Sequence, residues 1–153
     1  MFGAEKKNEK SDNLVREFAA GERIVAEGDD THEMYIIQKG QVAIEKRQNG
    51  ESLRLATLGK GDFFGEMSLL EGLPRSADAV ALIPSRLLVL QSGGFLLKLR
   101  RDPTFAFEVI AGLSSRIRSM NDHLMLLMQE SGIDMKTAGQ IFARMEQQKI
   151  NQE

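Results

Sequence analysis

Cysteine is absent from this 153-residue chain. That excludes a disulfide framework, thiol nucleophiles and thiolate-held metal clusters. Histidine occurs only at His32 and His123, too sparsely for a transition-metal site built on imidazoles. No apolar run approaches the ~20 residues that a membrane-spanning helix needs. Residues 1–13 are rich in Lys and Glu and lack the apolar stretch of a secretory leader. Neither sign of charge dominates: the formal net charge is −2, which exerts no bulk pull toward nucleic acid or an anionic membrane. The chain has no G-x-S-x-G, no Walker A motif and no nucleophile–base pattern. Gly59-x-Gly61-x-x-x-Gly65 is a near-miss of the dinucleotide fingerprint, but without a βαβ setting it reads as turn chemistry. With these absences, the chain is expected to be cytoplasmic, not an enzyme, and without a metal, cofactor, membrane or nucleic-acid partner.

What is present has a globular texture, with 42% apolar and 27% charged residues. Residues 1–13 are expected to be a flexible N-terminus. Asp12 or Asn13 is placed to cap a short helix carrying Leu14, Val15 and Phe18. From about 21 to 91, short Val/Ile/Leu-rich runs alternate with glycine-marked turns. The runs are Arg23–Ala26, Met34–Ile37, Gln41–Glu45, Leu53–Ala56, Ala77–Leu82 and Arg86–Leu90. Asn49-Gly50 is a strong type I′ hairpin signal, because both central residues of that turn need φ > 0. A parallel sheet would need crossover helices, and the spacing leaves no room for them. The pattern therefore predicts a mainly β protein with flanking helices, built on an antiparallel jelly-roll barrel.

After Ser92 the texture becomes helical. Asp102-Pro103 reads as N-cap and first helical residue, where proline's missing N–H costs nothing. Behind it, Ile110, Leu113, Ile117, Met120, Leu124 and Leu127 recur at spacings of 3, 4, 3, 4 and 3. That is a coiled-coil seam, and it predicts a homodimer through Ile110–Leu127. The same stripe packing against the chain's own barrel is the competing reading. Gly132 breaks the pattern, and a last amphipathic helix carries Ala138, Ile141, Phe142 and Met145 on one face.

The informative stretch is Gly61 to Ala77. Gly65 opens a short apolar helical turn, and a glycine there lets a ligand approach the backbone. Arg75 follows ten residues later, directly after Pro74, and brings a planar fork suited to phosphate oxygens. Glu66 is the discriminating residue. A carboxylate beside a bare phosphate is repulsive, but it suits a ligand that also presents a hydroxyl donor a few ångströms away. Glu66 with Arg75 therefore specifies a sugar phosphate, and Ser76 adds a hydroxyl to the phosphate or the base.

Phe64-Gly65-Glu66, then Met67-Ser68-Leu69-Leu70, then Pro74-Arg75-Ser76-Ala77 resembles the phosphate-binding cassette of cyclic-nucleotide-binding domains, of the cAMP-receptor-protein and protein kinase A regulatory-subunit type. Glu27-Gly28-Asp29, Met34–Ile37 and Gly40-Gln41-Val42 match the early strands and turns of that family. The resemblance covers roughly residues 18–128. It implies a cyclic-nucleotide-binding domain over 14–128, including the long helix, followed by a helical extension over 129–153. It implies a non-catalytic sensor that signals to an unknown effector protein by cassette closure and movement of the long helix. Glu66 would accept a hydrogen bond from the ribose 2′-OH. Phe64, Gly65, Met67 and Ser68 would line the ribose and phosphate. Arg75, with Ser76 and Ala77, would pair with the phosphate. Met120 and Asn121 would meet the purine. Ser76 rather than threonine leans toward cAMP over cGMP. Asp78 stands where relatives often carry an uncharged residue, and it either faces water or alters the base pocket.

Three alternatives stand beside this reading. Relatives that are transcription factors place a helix-turn-helix domain after the long helix. Here Gln129–Glu153 offers three bases against four acids, which is the wrong balance and too short a segment for DNA binding. A truncated, regulator-like scaffold acting through protein contacts, with weak or no nucleotide binding, remains as the alternative. A cupin-like enzyme would need several metal-binding histidines.

Overall fold

The computed structural model describes residues 6–7 and 14–151. Of the segment expected to be flexible, 1–5 and 8–13 lie outside the described residues. The two lysines Lys6–Lys7 form a short strand, β1, paired with β2. The following strands are β2 (Leu14–Phe18), β3 (Arg23–Val25), β4 (Met34–Lys39), β5 (Val42–Gln48), β6 (Glu51–Leu58) and β7 (Phe63–Phe64). A short helix α1 (Glu66–Glu71) precedes β8 (Asp78–Ala81) and β9 (Ser85–Leu90), and three helices follow: α2 (Ser92–Arg101), α3 (Pro103–Glu130) and α4 (Met135–Ile150). No described helix is long and apolar enough to cross a membrane.

The strands form two antiparallel sheets, ordered β1-β2-β9-β4-β7 and β3-β8-β5-β6. This is the antiparallel jelly roll that the strand-and-turn texture predicts. Inward positions alternate as a pleat requires. Tyr35 and Ile37 of β4, Leu87 and Val89 of β9, and Phe64 of β7 meet Val25, Val42 and Ala79 of the other sheet in one core. A fully buried Leu87 contributes about 2 kcal/mol of transfer free energy relative to exposure. The β5–β6 hairpin turns at Asn49 (φ 53°) and Gly50 (φ 80°), as the type I′ signal requires.

One element differs from expectation. Leu14, Val15 and Phe18 do not form a capped helix. They lie in strand β2, which pairs along its whole length with β9 from Leu14↔Val89 to Phe18↔Ser85. Five residues of ladder on an otherwise open strand edge, with Val15 buried, outweigh a helix too short to sustain itself.

The chain divides into two compact units, Met1–Ala106 and Phe107–Glu153. In the first, α2 buries Phe95, which meets Phe105 edge-to-face with ring centroids 6.1 Å apart. Asp102 caps α3 through a 3.0 Å bond from the Phe105 N–H to its carboxylate, ahead of Pro103. In the second unit, Gly132 (φ 67°) ends the long helix and Asp134 caps α4, accepting from the Thr137 N–H at 2.7 Å. Along α3, Ile110, Ile117, Met120, Leu124 and Leu127 are exposed.

Candidate functional site

The site begins where β7 ends. Phe63 and Phe64 are both buried, and Phe64 stacks on Tyr35 with centroids 5.0 Å apart and planes 12° from parallel. That stack fixes the point from which the next residue departs. Gly65 takes φ +82°, in the left-handed region. A Cβ there would stand 2.6 Å from the Glu33 carbonyl oxygen and 2.7 Å from Arg75 Nη1. Conformation and space both demand glycine. The turn launches α1, which buries Glu66 and Ser68 and leaves Met67 exposed. The helix closes at Gly72 (φ 66°), whose N–H donates to the Ser68 carbonyl.

The chain returns through Pro74 to Arg75, whose backbone is clamped on both sides. Its N–H donates to the Asp29 carbonyl at 2.9 Å, and its own carbonyl accepts from the Gly28 N–H at 2.8 Å. The 26–29 turn that provides both partners is closed by Asp29, whose carboxylate accepts from the Ala26 N–H at 3.0 Å. The Arg75 side chain is buried, with 2% of its surface exposed. Its Nε donates to Thr31 Oγ1 at 2.9 Å, Nη1 to the Gly65 carbonyl at 3.2 Å and Nη2 to the Glu33 carboxylate at 3.3 Å. The guanidinium also lies 5.7 Å from the Tyr35 ring centroid. Burial pushes the Tyr35 phenol above its ordinary value of 10.0, and the Glu33 carboxylate acts in the same direction.

A second charged cluster stands behind the returning strand. Asp78 is buried and does not face water. Its carboxylate accepts from the Glu27 N–H at 2.6 Å and pairs with Arg47 through Nε at 2.9 Å and Nη2 at 3.2 Å, with Arg23 Nε at 3.9 Å. Lys46 Nζ bridges the Glu27 carboxylate and the Ser76 carbonyl, each at 2.6 Å. The Lys46 hydrogen bond, with that of the Arg47 N–H, holds the Glu27 carboxyl below its usual 4.5. Asp78 thus anchors Glu27, whose neighbour Gly28 holds Arg75. A buried carboxylate is tolerated here because its oxygens are paired.

Of the residues expected at the site, the structure joins Gly65 to Arg75 directly and Phe64 to Arg75 through the Tyr35 ring, and it buries Glu66 and Ser68 on the adjoining helix α1. Ser76 and Ala77 follow Arg75, exposed and half-buried respectively. Met120 and Asn121 lie exposed on α3, in the second unit. Thr31, Glu33 and Tyr35, the side chains around the guanidinium, carry no signal in the sequence. Their distance from Arg75 along the chain, more than forty residues for Thr31 and Glu33, hides them from any local pattern. Chemically, a buried arginine fork that bonds the Gly65 carbonyl, with the buried Glu66 carboxylate on the next residue, suits a ligand that offers an oxyanion and a hydroxyl donor together.

The family model described as "Cyclic nucleotide-binding domain" matches residues 15–102. The cyclic AMP receptor protein of Thermus thermophilus is 37% identical over 113 residues, covering 73% of this chain and 52% of that protein. The crystal structure of the Thermus thermophilus catabolite activator protein superposes with a TM-score of 0.66 at 37% identity, covering 74% of this chain and 54% of that one. The cAMP-dependent protein kinase regulatory subunit of Yarrowia lipolytica is 33% identical over 61% of this chain and 25% of its own length. A solved structure described under "A cyclic-GMP-dependent signalling pathway regulates bacterial phytopathogenesis" matches at a TM-score of 0.55 and 33% identity, covering 70% of this chain and 84% of that one. The chain spans at most about half the length of these two curated relatives. With a matching family model over more than half of its residues, the chain belongs to the cyclic nucleotide-binding domain family.

Proposed function

We propose that this cyclic nucleotide-binding regulatory module takes cAMP in preference to cGMP and works by binding, not by catalysis. Arg75 carries the reading. A nearly sealed guanidinium, held at its backbone by Gly28 and Asp29 and at its side chain by Thr31, Gly65 and Glu33, is a rigid phosphate fork. Arg75 pairs with the cyclic phosphate, assisted by Ser76 and Ala77. Glu66 accepts from the ribose 2′-OH, and the Phe64–Ser68 arm lines the sugar.

The preference for cAMP rests on Ser76 in place of threonine and on the names of two relatives, a cyclic AMP receptor protein and a cAMP-dependent kinase subunit. A third relative belongs to cyclic-GMP-dependent signalling by its description, which makes the base the point to test. Titration calorimetry with cAMP and cGMP on the wild type and on Ser76→Thr ranks the two bases. Tighter cAMP binding that narrows in the threonine variant supports the preference. Tighter cGMP binding by the wild type reverses it.

In the same proposal, α3 carries the response. Met120 and Asn121 meet the purine, and the helix shifts as the cassette closes. The shift is bounded by the ligand's differential affinity for the two helix positions. The exposed seam from Ile110 to Leu127 pairs two copies of the chain. An effector protein receives the signal.

A further inference from the structure

We propose that Glu33 is a specificity-determining residue: its carboxylate shares Arg75 with the incoming phosphate, so the site accepts a singly charged cyclic phosphodiester and disfavours a doubly charged monophosphate ester. The inference rests on the reading of Arg75 as the phosphate fork.

A guanidinium that is 2% exposed needs an anionic partner when no ligand is bound. Glu33, 24% exposed at its side chain, provides it from the edge of β4. The charge that would attract a phosphate is therefore already compensated. Of the three bonds made by the guanidinium, the one to Glu33 is the longest at 3.3 Å, against 2.9 Å for Thr31. It is also the only one of the three made to a charged partner, so it is the contact whose energy depends on the charge of an incoming anion. Arginine has five N–H donors. The three bonds to Thr31, Gly65 and Glu33 take one at each nitrogen, which leaves the second hydrogens of Nη1 and Nη2 for a phosphate.

Two anions hydrogen-bonded to one guanidinium stand within a Debye length of each other, about 8 Å at physiological salt. Repulsion from Glu33 then scales with the charge on the ligand. A cyclic phosphodiester carries one negative charge. A 5′-monophosphate, with its second ionisation near pH ~6, carries two at pH 8. Glu66 adds a second carboxylate whose repulsion also grows with ligand charge, so the share that belongs to Glu33 is the part of the gap that Glu33→Gln removes.

The test uses three probes at pH 8 on wild type and Glu33→Gln: cAMP, 5′-AMP, and the methyl ester of 5′-AMP, which is acyclic but singly charged. Glutamine keeps an acceptor for Nη2 and removes the charge. In the wild type the methyl ester is expected to bind about fivefold or more tighter than 5′-AMP, and in Glu33→Gln that gap shrinks toward unity. The wild-type comparison alone tests the charge rule if the variant fails to fold. Equal binding of the two acyclic ligands by the wild type, or a gap unchanged in a folded Glu33→Gln, overturns the proposal. Failure of the wild type to bind cAMP overturns the reading of the site as well, which separates the two failures.

Discussion

Arg75 Nη1 donates to the Gly65 carbonyl at 3.2 Å, and a Cβ on Gly65 would stand 2.7 Å from that same nitrogen. The two ends of the cassette, ten residues apart, are therefore fitted to each other. Neither can change without moving the other. Gly65→Ala is expected to meet two penalties, the left-handed φ at about 1–2 kcal/mol and the clash with Arg75 and the Glu33 carbonyl. Chemical denaturation should show a loss of at least the first, and cyclic-nucleotide affinity should fall with it. Wild-type affinity and stability in the variant would contradict this fit between Gly65 and Arg75.

Asp78 holds Glu27, and through it the turn that clamps Arg75. Asp78→Ala leaves the Glu27 N–H and Arg47 without their partner. The expected loss is about 1–3 kcal/mol, read in urea unfolding, together with weaker ligand binding, because the Arg75 backbone is no longer fixed. A loss of stability with unchanged affinity would separate this cluster from the ligand site.

The Glu27 carboxyl is held below its usual 4.5 by Lys46 and the Arg47 N–H. A depressed folded-state pKa contributes stability that is present above 4.5 and disappears as pH falls through the lower folded value. The melting temperature of Glu27→Gln should therefore approach that of the wild type at acid pH and fall below it at neutral pH. A constant difference between the two proteins across pH 2–7, about the range over which carboxylates titrate, would contradict the assignment.

The seam on α3 exposes Ile117 and its neighbours. Burying them against a second copy predicts that Ile117→Glu converts a dimer to a monomer in light scattering, since an unpaired charge at a seam position costs several kcal/mol. An unchanged mass would place the dimer contact elsewhere or remove it.

The cassette is legible in the sequence because it is local. Phe64 to Ala77 carries the turn glycine, the carboxylate and the arginine within fourteen positions, and the hairpin and helix-cap signals at Asn49-Gly50 and Asp102-Pro103 are equally short-range. What was not legible is long-range. Thr31 and Glu33 reach Arg75 only because β4 lies beside β7 in the sheet. Asp78 gives no clue in sequence whether it faces solvent or Arg47, since that depends on the register of β8 on β5, where Glu45↔Asp78 is the terminal pair. The segment from Leu14 to Phe18 reads as a helix because its apolar residues fall at 14, 15 and 18. It becomes a strand because the edge of β9 offers it a ladder, a tertiary effect that local propensity does not contain.

Titration calorimetry of cAMP into wild type and Arg75→Ala, both freed of co-purified nucleotide and checked for fold by circular dichroism, tests the central claim most directly. Removing one partner of a buried charge-assisted pair costs ~2–5 kcal/mol. The account therefore predicts measurable cAMP binding by the wild type and at least ~30-fold weaker binding by a folded Arg75→Ala. Near-wild-type affinity in the variant, or no binding by the wild type, would contradict it.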